Sequence, residues 1–194
     1  MRKILLPTIC ILLSAMLIAI IPTDAEAAIY EDTVRLHILA PSDSAEDQSL
    51  KLKIRDRVLE KYSSVLAASK STEDAKRTVR LKEEEIAADC RTWILEEGFD
   101  YPVSANLTYE WYETREYSDF ILPAGEYASL KIVIGEGEGQ NWWCVMYPPL
   151  CLDAAVARTD TGYTDEEYKL ISKSGYRVKF KLLEVVSSIA DGLS

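Results

Sequence analysis

The sequence predicts an α+β domain, a mainly antiparallel sheet with helices packed on it, preceded by a signal peptide. Three features carry that prediction. A charge-free run from Ile4 to Ile21 follows the basic pair Arg2-Lys3. Two long stretches open on Ser-x-x-Asp and place apolar residues four apart, as one face of a helix requires. From Val103 onward, apolar and polar residues alternate with the period of a strand.

The first segment has the order of an export signal. Pro22 follows the apolar run, and Ala25-Glu26-Ala27 puts small residues at the −3 and −1 positions of a cleavage site. Residues 1–27 are therefore read as a signal peptide, and 28–194 as a single globular domain. The run is longer than an ordinary signal core and approaches the length of a spanning helix, so a retained anchor is the alternative. Either way, the chain beyond residue 28 is expected outside the cytoplasm.

Val34, Leu36, Ile38 and Ala40 alternate with Arg35 and His37, which predicts a half-buried strand ended by Pro41. Ser42-Asp43-Ser44 is a turn, and Ser44 with Asp47 resembles a capping box. The helix that follows carries Leu50, Ile54, Val58 and Leu66 on one stripe. Its outer face is basic (Lys51, Lys53, Arg55, Arg57), either a solvated face or one that docks a partner. Ser71 and Asp74 open a second helix with Val79, Ile86, Cys90 and Ile94 on its apolar stripe, closed by Gly98. Strands are expected over Val103–Trp111, Tyr117–Leu122, Leu130–Ile134 and Trp142–Tyr147, forming an antiparallel meander. The loop Gly135–Gly139 lies before the last of them. Thr164 with Glu167 opens a helix ended by Gly175; Tyr176–Phe180 reads as a strand and Leu182–Ile189 as a terminal helix.

The formal net charge is −10, unchanged when residues 1–27 are removed, because Arg2 and Lys3 cancel Asp24 and Glu26. An acidic surface repels phosphate backbones and anionic headgroups, so nucleic acid is not an expected partner. Metal sites lack their patterns: there is no CxxC pair and no HExxH, and two carboxylates, Glu136 and Glu138, on a glycine loop make a weak calcium site. That loop precedes a strand and is acidic, so it is no phosphate cradle. No cofactor and no small-molecule substrate are expected.

His37 is the single histidine. Together with Cys144 and Asn141 it matches a cysteine hydrolase by residue type, with no nucleophile elbow or local geometry to support it. A structural histidine at a strand end is the simpler account, and an exported cell-wall hydrolase using Cys144 and His37 is the alternative function. Cys10 lies in the signal, leaving Cys90, Cys144 and Cys151. Pro148-Pro149 could fold Cys144 and Cys151 together as a disulfide; buried free thiols are the other reading. Adjacent Trp142 and Trp143 point to opposite faces of a strand, and rigid aromatics beside a proline pair suit a recognition surface as well as a covered sheet.

Several long words carry a resemblance. They are Val34–Ala40, Ser42-Asp43-Ser44 with Asp47-Gln48, Leu50–Lys53, Arg55-Asp56, Thr114–Tyr117, Leu122–Gly125 and Asn141–Cys151. Collinear over roughly residues 30–152, they resemble the stage II sporulation protein R family of endospore-forming bacteria. Pro41, where that family's turn is expected to carry Asn, departs from the pattern, and Met146-Tyr147 is a mild variant. The resemblance implies a protein secreted from the forespore into the space between the two membranes. There it would activate a membrane-embedded aspartic protease of the mother cell that processes the sigma-E precursor. It implies a ligand and not an enzyme, with His37, Ser42, Asp43, Trp142, Trp143, Pro148 and Pro149 as candidate partner-binding residues.

Overall fold

The structure is a computed structural model; it describes Ser14 and residues 24–117, 120–148, 163 and 165–172. The signal segment apart from Ser14 and residues 24–27, with Cys10, the Pro149 and Cys151 positions, Thr164, Gly175 and the strand and helix expected after it lie outside the described residues. The elements in order are α1 (Asp24–Glu31), β1 (Val34–Leu39), α2 (Ala45–Ala67), α3 (Thr72–Glu96) and β2 (Val103–Tyr112). β3 (Arg115–Glu116), β4 (Ile121–Leu122), β5 (Gly125–Ile134), β6 (Asn141–Tyr147) and α4 (Asp165–Ile171) follow. They divide into two compact units: Tyr30–Trp111 with Glu126–Tyr163, and Met1–Ile29 with Tyr112–Gly125 and Thr164–Ser194.

The larger unit holds a four-stranded sheet in the order β2-β5-β1-β6. β1 runs parallel to β5 and antiparallel to β6. Gly135 N–H, just past β5, bonds the Pro102 carbonyl, just before β2, so those two strands run antiparallel. The sheet is thus mixed and not the expected meander: β1 sits between β5 and β6, which successive hairpins would have paired. For the same reason β1 is not half-buried. A central strand has neighbours on both edges, and Val34 to Ile38 are buried on both faces, Arg35 included.

One face of the sheet carries Val34, Leu36, Ile38, Ala105, Leu130, Ile132, Ile134, Cys144 and Met146. These join the buried stripes of α2 and α3 in one core. Burying a Leu or Ile side chain contributes roughly 1.5–3 kcal/mol, so this cluster is the main stabilising feature of the unit. Both helix starts follow from local chemistry. Ser44 Oγ accepts from Asp47 N–H and Ser71 Oγ from Asp74 N–H, each at 3.2 Å. Asp47 does not close a reciprocal box. Ser44 N–H goes to Ser42 Oγ, whose hydroxyl donates to the Asp47 carboxylate. α3 ends in a Schellman turn: Phe99 N–H reaches Ile94 O, Gly98 N–H reaches Leu95 O, and Gly98 holds φ +86°, the left-handed region glycine occupies freely.

The basic face of α2 is neither simply solvated nor left open. Lys53 pairs with Glu97, just past α3, and Arg57 and Lys61 pair with Glu96 and Asp89 of α3. Arg55 lies 5.0 Å over the Trp142 ring, and Lys51 is buried. In the smaller unit, β3 and β4 form a two-residue antiparallel ladder, so Tyr117–Leu122 is not one strand: only Ile121–Leu122 of it lies in β4. Phe120 bridges to Ser172 after α4 and stacks on Tyr117. Buried Leu122, Ala124 and Ile171 belong to this unit.

Candidate functional site

Strand alternation places Arg35, His37, Ser129, Lys131 and Trp143 on the sheet face away from α2 and α3, since their neighbours along the strands, Leu36, Leu130 and Cys144 among them, fill the helix-side core. Polar residues at the centre of a sheet are costly to bury unless their hydrogen bonds are met. For His37, Glu110, Lys131 and Asn141 they are met by one another. His37, only 8% exposed, sets Nδ1 2.9 Å from Glu110 Oε2 and Nε2 2.9 Å from Asn141 Oδ1. Lys131 Nζ donates to the other Glu110 oxygen at 2.6 Å. The imidazole stacks on Trp143, centroids 5.6 Å apart.

Burial of Glu110 works against its charge, but the hydrogen bonds and charges of His37 and Lys131 outweigh it and hold the carboxyl down at about 2. A carboxylate only accepts, so Nδ1 of His37 carries a proton. The Asn141 amide can offer either end to Nε2, so the ring is satisfied in either protonation state. Four strands thus supply one connected cluster: β1 His37, β2 Glu110, β5 Lys131, and β6 Asn141 and Trp143. Next to it, Arg35 lies 5.1 Å over Tyr127, which meets Tyr30 edge-on.

The structure does not assemble the Cys144–His37 pair of the hydrolase alternative. Leu36 pairs with Cys144 and His37 with Trp143, so the two side chains leave on opposite faces. Cys144 is in the helix-side core and disulfide-bonded, which removes the thiolate a nucleophile needs. Its bonding partner is not among the described residues. Cys90 is free and buried on α3, its thiol pushed up to about 12 by burial and then by the Asp89 charge.

The remaining candidates fall into two places. Trp142 faces α2 under Arg55, while Trp143 faces the polar cluster; both are half-buried. Pro148 is buried, after a cis Tyr147–Pro148 peptide. Ser42 and Asp43 are drawn into a second network that ties the β1–α2 turn to the loop before β6. Gln48 Nε2 donates to Ser42 O, Gln140 N–H to Asp43 Oδ1, and Lys51 Nζ to Gln140 O. Burial lowers the Lys51 ammonium and the Asp43 charge acts in the other direction. Gly139 closes this junction: a Cβ there would lie 2.2 Å from the Ser42 carbonyl oxygen.

Sequence reasoning missed Glu110 and Lys131. Their one signal was being the lone carboxylate in β2 and the lone cation in β5. Among the described residues no group of His, Cys, Asp and Glu could hold a metal ion, and no helix is long and apolar enough to cross a membrane.

The model of the family described as "Stage II sporulation protein R" matches residues 30–157, two thirds of the chain and every candidate residue above. The chain belongs to this family. Stage II sporulation protein R of Bacillus subtilis (strain 168) is similar, 40% identical over 121 residues, 62% of this chain and 54% of that protein. The chain thus spans about half the length of the curated relative it matches. No solved structure matches. The family is one of sporulation proteins, and the matched span contains the whole four-stranded sheet.

Proposed function

We propose that this chain is a secreted signalling protein of endospore formation. It leaves the forespore and activates a membrane-embedded aspartic protease of the mother cell, which then processes the sigma-E precursor. The match of the sporulation family over residues 30–157 carries the reading; the signal-like order of residues 1–27 supports export. The chain acts as a ligand. It must bind the active state of its receptor better than the inactive one, by about 5.5 kcal/mol for a near-complete switch.

Half-buried Trp142 and Trp143 and exposed Asn141 make the contact edge of β6. Buried His37 and half-buried Glu110 orient Trp143 from behind, and the Ser42–Asp43 turn fixes the strand's entry. Rigidly held aromatics lose little entropy on binding, which suits them to this role. The test co-expresses the chain, the protease and the sigma precursor in a host that does not sporulate. Cleavage should require the chain and fall at least about tenfold with Trp143→Ala. Cleavage that proceeds equally without the chain removes the proposal.

A further inference from the structure

We infer that the outer edge of β2 at Tyr109 and Trp111 is a docking site for an extended, acidic segment of a protein partner, which adds as a strand. Among the described residues β2 is an edge strand, hydrogen-bonded to β5 alone. The Pro102 carbonyl points to the β5 side, so by alternation the backbone groups of odd-numbered residues in β2 point outward. Leu107 bears this out: its N–H leaves the sheet and is taken by Glu83 Oε1 of α3 at 2.6 Å. Among the described residues no further bond from α3 to the β2 backbone follows it. The outward groups of Tyr109 and Trp111 meet no partner among the described residues, and both side chains are 54% exposed. An uncovered edge is a template for another strand, and native proteins usually blunt it with charge, proline or a bulge. Tyr109 and Trp111 do none of these.

The charge beside this edge selects the partner. A groove of about 640 Å³ runs between Tyr109 and the first turns of α3, lined by Lys70, Lys76, Arg77 and Arg80 against Glu73 and Asp74. Lys76 is matched by Glu73 and Arg77 by Asp74, while Arg80 has no ion pair among the described residues. In a chain of net charge −10 this is a local cationic surplus. A second copy would bring its own cations to the same edge, so like charge disfavours self-pairing. The unmet backbone groups call for an aligned strand with its own donors and acceptors, which a lipid surface lacks. The site uses the side of β2 opposite Glu110 and does not rest on the processing role.

The test uses the chain without residues 1–27 and a fluorescein-labelled octapeptide alternating Glu and Val. Three controls accompany it: the same peptide N-methylated at alternate residues, its Lys–Val counterpart, and phosphatidylglycerol vesicles. Saturable binding of the Glu–Val peptide is expected. Binding should weaken at least about tenfold on N-methylation and in the Arg77→Glu/Arg80→Glu chain. Tyr109→Pro should have a similar effect, because it removes an outward N–H and spares the β5 ladder. Circular dichroism verifies the fold of each variant, and the N-methylated peptide tests strand pairing without altering the protein. Equal binding of the methylated or Lys–Val peptide, no binding at millimolar peptide, or binding to vesicles alone overturns the inference.

Discussion

Glu110 keeps its charge with only 19% of its side chain open to water, because a lysine and a histidine share its two oxygens. Its carboxyl sits at about 2 against an ordinary 4.5, a depressed value. The stabilisation is therefore fully present above the ordinary value and is lost as pH falls from 4.5 toward 2. Glu110→Gln should be less stable than the parent by about 1–3 kcal/mol near pH 7. Thermal melts from pH 7 down should show that gap closing by about pH 2, and a gap that does not change with pH contradicts the pairing. Cys90 gives a second residue-level expectation. Its thiol is buried and raised to about 12, so iodoacetamide should label it only when the chain is unfolded in denaturant. Labelling of the native chain at Cys90 would show that α3 opens far more readily than its packing implies.

At the level of elements, the helices were legible and the sheet was not. Ser44 and Ser71 announce α2 and α3 because a cap is settled within four residues, and Gly98 ends α3 for an equally local reason. Alternation located β2, β5 and β6, but it says which face a residue takes and nothing of which strand lies beside it. The His37–Glu110 contact depends on that missing information, as does the separation of His37 from Cys144. The ion pairs of α2 with α3 were hidden in the same way: a basic face and an acidic face on two helices cancel only when packed side by side. The junction at Gly139 is the element-level weak point. Gly139→Ala forces a methyl against the Ser42 carbonyl and should cost about 1–3 kcal/mol in urea unfolding. Gln140→Ala keeps its backbone carbonyl for Lys51 and should change little, within about 0.5 kcal/mol.

For the molecule as a whole, the family words cover β1 and β6 but leave out β2 and nearly all of β5, so they made the sporulation family readable and left the sheet order hidden. The proposed role separates folding from address. Removing residues 1–27 should leave the melting of the 28–194 chain intact yet abolish precursor processing when the shortened chain is made in the forespore. Processing that persists would show that export is unnecessary. The position of β1 bears on that journey. Leu36 is laid beside Leu130 and Cys144, partners synthesised about ninety residues or more after it. A nascent chain entering a translocation channel therefore cannot complete its sheet until nearly all of the sheet-forming sequence has been made, and long loop closures of this kind are slow. The helices can flicker into shape early, but the keystone strand waits. Under the proposed export, that delay keeps the polypeptide threadable while it passes through a narrow pore.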